Sequence, residues 1–394
     1  MKKRVFSILC LVLAAVILLV SCGTKTDDTP AAPSGSDSGN TSTPPKSDGK
    51  RHLTVGYYMD GADDYYKCGL DVVTYLGEND DEFEWEIISR VGEWRAVDQL
   101  AAVEDFITMG VDAMIIVQNS PEASRESIEK ANAAGIPYFA LAQRPWITKD
   151  LDLAGFVVTP ITVSYDIGKS AAASGASRFI FIEGALGQDY VSDFTRYILQ
   201  AFHEAGKDIG GFWNEKENRA DETFQGSSPD FEIVFRGSGN FMTEPAKSLM
   251  ADAIVSLGPD GFDGIIVGND EMVDGVLQAM EEAGIDPKPY WIGTSNGKEK
   301  SWPWIREGII DFEISQTPTL EADYMFQIVK DYFGANKIEW KYKFNTCTPF
   351  TIDNIDDITL IPYNVKSYFE VRASGKLDYD VNNAVDIPLD YFVR

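Results

Sequence analysis

Short apolar runs alternate with segments of helical period from Leu53 onward, and that alternation admits few folds. Residues 53–59, 83–88, 113–117 and 138–142 read as strands. Between them, Leu70, Val73 and Leu76, and then Val97, Leu100, Val103 and Ile107, mark single faces of helices. The run at 113–117 holds no polar residue, as a strand covered on both faces requires. Ser120 and Pro121 supply an N-cap and a first-turn proline, and Gly110 and Gly135 are helix stops. A second series follows, with helices over 163–173, 190–205, 243–256 and 271–283 and strands over 179–182, 232–235, 264–267 and 290–293. The run from Asp112 to Asn119, with Ala-Gly-Ile-Pro137 downstream, has a loose echo in Asp263 to Asp270 with Ala-Gly-Ile-Asp286 downstream. The pattern predicts an α/β chain of two Rossmann-like lobes, each a parallel sheet flanked by helices. The polar stretch 207–228 reads as a weakly structured surface insertion.

The first fifty residues are of another kind. Met1-Lys-Lys-Arg4 is basic, the run from Val5 to Val20 is apolar, and Ser21-Cys22-Gly23 follows. This resembles a bacterial lipoprotein signal: the apolar run is short for a membrane span and ends in small residues. The resemblance implies removal of residues 1–21, a lipid on Cys22, and a chain working outside the cytoplasm, anchored at the cell surface or the periplasmic face. Residues 22–51 are dominated by Ser, Thr, Pro, Gly and Asp and read as a disordered stalk. A net charge of −28 repels phosphate backbones and argues against a nucleic-acid partner. With 44% hydrophobic residues the remainder can bury a large core, and roughly 340 residues suggest two domains in one monomer. Cys68 and Cys347 read as two separate buried thiols more readily than as one disulfide.

In open parallel sheets ligands bind beyond the carboxyl ends of the strands, where loops converge and helix N-termini point. The residues just past each apolar run are Tyr58 and Asp60, Gln118 and Asn119, Gln143 and Arg144, Asn269 and Asp270, Ser295 and Asn296, and Gln316. Amides, carboxylates and one guanidinium suit a polyhydroxylated ligand, because each hydroxyl both donates and accepts. Tyr65, Tyr66 and Phe241 can cover the apolar faces of a sugar ring. The plainer alternative makes Asn119, Ser120, Thr243 and Asn269 helix caps and the tyrosines core.

Gly293-Thr-Ser-Asn-Gly297 fits a nucleophile-elbow pattern and would make Ser295 a hydrolase nucleophile. That chemistry needs a histidine after the serine, and His52 and His203 both precede it. The sequence shows no His/Cys metal cluster, P-loop or dinucleotide fingerprint. No catalytic residue, metal or cofactor is therefore expected.

Several runs resemble the type I periplasmic-binding family, specifically substrate-binding lipoproteins of sugar ABC transporters of the ribose- and galactose-binding kind. They are Gln99 with Asp105-Phe-Ile-Thr-Met-Gly-Val-Asp-Ala-Met-Ile-Ile116, Ala133-Ala-Gly-Ile-Pro137, Gly268-Asn-Asp-Glu-Met272 with Gly275, and Ile305-Arg-Glu-Gly308 leading to Ser315-Gln316-Thr-Pro318. The resemblance covers about residues 53–352. It implies two lobes joined by three hinge crossovers, over 52–158 with 317–348 and over 159–316 with 349–394, closing on a ligand that passes to an ABC permease. The same fold also serves receptors that report to a membrane sensor kinase. By the resemblance Tyr65 and Tyr66 are a ring-stacking pair, Arg144 grips hydroxyls, and Phe241, Gln118, Asn269 and Gln316 complete the ligand contacts. Gln143, and Ser295 or Asn296, replace carboxylates usual in the family, which leaves room for an acidic sugar, a substituted sugar or another small polar ligand. Arg144→Ala and Gln316→Ala are each expected to weaken binding by about 1–3 kcal/mol.

Overall fold

The computed structural model describes residues 49–145, 151–160, 162–223, 226–334 and 341–377. The expected signal, Cys22 and most of the stalk lie outside them, as do residues 378–394. The first series comprises β1 (Arg51–Met59), α1 (Asp64–Glu78), β2 (Phe83–Val91), α2 (Ala96–Met109), β3 (Ala113–Val117), α3 (Pro121–Ala134), β4 (Tyr138–Ala142) and β5 (Gly155–Val158). The second comprises α4 (Thr162–Ser174), β6 (Arg178–Glu183), α5 (Asp189–Glu204), a short ribbon β7 (Trp213–Asn214) and β8 (Arg219–Ala220), β9 (Glu232–Ser238), α6 (Thr243–Leu257), β10 (Gly264–Val267), α7 (Asp270–Glu282), β11 (Trp291–Asn296), α8 (Trp302–Arg306) and β12 (Phe312–Ser315). The chain then adds α9 (Pro318–Phe333), β13 (Lys341–Phe344), β14 (Pro349–Phe350) and α10 (Val365–Ala373).

Two six-stranded sheets result, in the orders β13-β5-β4-β3-β1-β2 and β14-β12-β11-β10-β6-β9. Pairing is parallel throughout except for β14, which runs antiparallel to β12. The chain passes between the sheets after β5, after β12 and after β13, so three crossovers join the sheets of two α/β lobes, and the tail after β14 returns once more to the first lobe. Alternate residues of each strand face opposite helical layers. In the first lobe Val55, Tyr57 and Ile115 pack beneath α1 and α9, while Tyr58, Met114 and Ile116 pack beneath α2 and α3. In the second lobe Ile180, Ile182 and Val267 face α6 and α7, and Phe179, Phe181 and Ile266 face α4 and α5.

The helix ends follow their local chemistry. Ser120 accepts from the Ala123 N–H, Pro121 opens α3, and Gly110 and Gly135 end α2 and α3 in the left-handed region. Three features depart from expectation. The described part of 207–228 is pinned rather than loose: Ile209, Phe212 and Ala220 are buried against α5, and His203 stacks on Trp213 at 3.5 Å. The strand expected at 290–293 runs on to Asn296, which brings Ser295 and Asn296 into the sheet. The tail was expected wholly on the second lobe, but it divides. Phe350 and Ile355 join the second core, whereas Ile361 and Tyr368 join the first, where the Tyr368 hydroxyl donates to buried Asp323 at 2.6 Å. Cys68 and Cys347 are free thiols, and Cys68 donates to the Tyr363 carbonyl.

Candidate functional site

Loops at the carboxyl ends of both sheets meet at a cavity lined by Tyr65, Tyr66, Ala142, Gln143, Thr159, Tyr190, Phe241, Asn296 and Gln316. Its walls are built locally. Asp63 caps α1 by accepting from the Tyr66 N–H at 2.9 Å, which plants Tyr65 and Tyr66 in the first turn, edge to face at 5.6 Å. The Tyr65 hydroxyl donates to buried Glu321 at 2.9 Å. From the second lobe, Gln316 Nε2 donates to Asn296 Oδ1 at 2.5 Å and to the Tyr190 hydroxyl at 3.2 Å, so strand end, crossover and α5 share one network. Gln143 Oε1 and Gln316 Oε1 are buried acceptors without a hydrogen-bond partner among the described residues. Each awaits a donor, since a buried acceptor left unpaired costs about 1–3 kcal/mol.

Adjoining this cavity is a small recess lined by Arg144, Asp193, Ser164 and Pro160. Arg144 pairs there with Asp193 of α5, which also pairs with Arg196. The guanidinium thus meets a carboxylate of the other lobe, which it shares with Arg196. Asp60 is fully buried and accepts from Asn119 Nδ2 at 3.0 Å, from Gln188 Nε2 of the second lobe at 2.6 Å and from the Tyr58 hydroxyl at 3.2 Å. Burial raises its pKa to about 6, against the pull of those donors. Burial likewise lifts Asp63 to about 7 and Glu321 to about 8.

Of the sequence-derived residues, Tyr65, Tyr66, Gln143, Phe241, Asn296 and Gln316 converge on the cavity, and Arg144 on the recess. The others do different work. Gln118 lines neither space: its Oε1 accepts from Tyr138 at 3.0 Å and its Nε2 donates to the Ile116 carbonyl, inside the first lobe. Strand alternation turns residue 118 toward α2 and α3, and the next residue, Asn119, meets Asp60. Asn269 caps α7 by accepting from the Met272 N–H and supports the cavity wall by donating to the Phe241 carbonyl at 3.3 Å. Ser295 donates to the Gly268 carbonyl, while His52 pairs with Glu86 and His203 stacks on Trp213. No described contact joins Ser295 to a histidine, and the nucleophile-elbow alternative is set aside.

Sequence reasoning missed Gln188, Tyr190 and Thr159. Gln188 and Tyr190 follow β6 as the other site residues follow their strands, but the intervening Glu183-Gly-Ala-Leu-Gly187 is long and hid the relation. Trp94, in the loop after β2, was also missed. Its indole lies 5.7 Å from Tyr66 and 5.4 Å from Phe241. Trp94 (φ 62°) and Phe241 (φ 58°) both occupy the left-handed region, a strained choice for large side chains.

The fold and its inter-lobe cavity have parallels among known proteins. The chain is 26% identical over 242 residues to a xylitol-binding protein of Mycolicibacterium smegmatis, covering 61% of each. It is 26% identical over 249 residues to a fructose import binding protein of Bifidobacterium longum, covering 61% of this chain and 67% of the relative. A solved galactofuranose binding protein superposes with a TM-score of 0.64 at 20% identity, over 81% of this chain and 99% of that one. Residues 71–337, which carry most of both sheets and most of the cavity lining, match the model of the periplasmic binding protein domain, and the chain belongs to that family.

Proposed function

We propose that the chain is an extracytoplasmic binding protein that captures a small polyhydroxylated solute, a sugar or polyol, between its lobes and delivers it to an ABC permease. One observation carries the reading: aromatic rings and amides face a single cavity in which two amide oxygens lack donors. Ligand hydroxyls supply those donors and accept from the amide N–H groups in return, while Tyr65, Tyr66, Tyr190 and Phe241 cover C–H faces. The named ligands of the relatives, xylitol and fructose, are of this class. The family consists of solute-binding proteins, and the chain is not an enzyme. Among the described residues no helix is long and apolar enough to cross a membrane, and a lipid on Cys22 would hold the protein at one. The proposed lobes are 52–158 with 317–348 and 159–316 with the tail up to about residue 360.

Thermal denaturation of the chain against neutral sugars, polyols, sugar acids and nucleosides tests the reading. A ligand at about 100 times its Kd stabilises by roughly 2.7 kcal/mol and raises the midpoint visibly. Gln316→Ala is expected to weaken that ligand by about 1–3 kcal/mol, because its removal strands Asn296 and Tyr190. A flat panel, or unchanged affinity in the variant, would remove the site from this cavity. Deletion that abolishes uptake but leaves gene induction intact is the outcome expected of transport. The reverse would assign the chain to a sensor kinase.

A further inference from the structure

Two rings from different lobes meet beside the cavity, and each lies on a glycine. Gly61 sits beneath Trp94, where a Cβ would stand 2.1 Å from the indole. Gly184 sits beneath Phe241, where a Cβ would stand 1.9 Å from the ring. No larger residue leaves either ring in place. Both rings are also held by backbone contacts. The Trp94 N–H donates to the Asp60 carbonyl and the Gly92 N–H to the Met59 carbonyl, each at 2.8 Å, and the Glu93 N–H donates to Asp98 at 2.9 Å. On the other side the Gly239 N–H donates to the Glu183 carbonyl at 2.7 Å, the Ser238 hydroxyl to the Gly184 carbonyl at 2.6 Å, and Asn269 to the Phe241 carbonyl.

Topology sets how far these rings travel. Trp94 follows β2 and Phe241 follows β9, the strands that end their sheets at the edges opposite β13 and β14. The three crossovers leave from β5, β12 and β13, at or next to the other edges, so a hinge rotation moves the Trp94 and Phe241 rings farther than it moves Arg144 or Gln316. Phe241 lines the cavity, and Trp94 packs on it and on Tyr66.

We propose that Trp94 and Phe241, each seated on a glycine, form an aromatic gate across the cleft mouth whose parting controls ligand release. The inference rests on the binding function proposed above. Trp94 acts as a positioning residue: it holds the closed lobes together through ring contact and shields the ligand from water, and the amides of the cavity set affinity for particular hydroxyls. Its loss therefore raises the dissociation rate for every ligand by a similar factor, whereas loss of an amide contact depends on which hydroxyl is present.

The test uses xylitol, myo-inositol, D-fructose, D-ribose and L-arabinose as probes, with stopped-flow fluorescence to read association and dissociation. Trp94→Ala and Gly61→Ala, the second displacing the indole without altering it, are expected to speed release at least about tenfold for each probe that binds, with association changed less than about threefold. Trp94→Phe, which keeps a ring, should stay within about threefold of the parent in release. Acrylamide quenching should show Trp94, as the difference between the parent and Trp94→Phe, shielded on ligand addition. Release at the parent rate in Trp94→Ala, with a probe clearly bound, would overturn the gate and leave the binding function standing. No thermal shift with these probes or with the sugar acids and nucleosides of the wider panel would overturn the binding function and the gate with it.

Discussion

Phe179→Ala is expected to lower the unfolding free energy by about 3–5 kcal/mol, the range for emptying a core aromatic position. The ring is fully buried and is surrounded by Phe181, Phe202, Phe231 and Trp291 at centroid distances of 6.4, 5.4, 5.6 and 6.3 Å. It lies on Gly264 of the adjacent strand, where a Cβ would meet it at 2.3 Å. Surroundings built from rigid aromatic planes and main chain collapse poorly into a void, so the cavity term is kept in full. Chemical denaturation followed by circular dichroism measures the loss. Gly264→Ala presses on the same ring from the strand side and should cost about 1–3 kcal/mol through overpacking. A loss below about 1 kcal/mol in Phe179→Ala would mean that this cluster does not hold the second lobe together.

Thermal stability is expected to fall as pH rises from about 4.5 to about 8, the reverse of a fold stabilised by paired carboxylates. Burial raises Asp60 to about 6, Asp63 to about 7 and Glu321 to about 8, and it also raises the neighbouring acids Asp270 and Glu313, which lie close enough to oppose each other's ionisation. In the unfolded chain these groups ionise near ~3.9 for Asp and ~4.3 for Glu. Between the unfolded and folded values the native state holds protons that the unfolded state has lost. Stability contributed by the protonated form is therefore present below the unfolded pKa and declines until the folded pKa is passed. Asp64, lowered by its hydrogen bond from Lys298, and Asp98, lowered by Arg95, act in the opposite sense, but only below about pH 4. Calorimetric midpoints from pH 4.5 to 8.5 measure the slope. Mutual repulsion in a chain of net charge −28 changes little over most of this range, and Glu321→Gln isolates the buried contribution by flattening the profile between about pH 5 and 8. A midpoint that rises with pH, or a Glu321→Gln profile parallel to the parent, would show that these carboxyls are ionised in the fold.

Much of the candidate site was legible because strand ends announce themselves. The apolar run 138–142 stops at Gln143 and Arg144, and the run that ends with Ser315 stops at Gln316; both glutamines reach the cavity. Gln118 shows the limit of that rule. It too follows an apolar run, yet its side chain satisfies Tyr138 and the Ile116 carbonyl, because one residue of strand register separates the cleft from the helical layer. Tyr190 and Gln188 were hidden by loop length, and Trp94 by a strand that continues past its apolar part to Val91. Strand β5 and helices α9 and α10 lay outside the regular alternation; α9 gains its burial between α1 and strands β4 and β5, and α10 packs on α1.

Periodicity and capping act over a few residues, so the chain order by itself determined most strands and helices of both series, the caps at Ser120 and Asn269, and the two-lobed α/β plan, but not β5, the β7–β8 ribbon or α8. The pairing of Arg144 with Asp193, the meeting of Asp60 with Gln188, and the contact of Trp94 with Phe241 each join residues from different lobes. Only the tertiary structure decided those, because a side chain's partner across a cleft depends on where two sheets place their strand ends, and no local spacing encodes that distance.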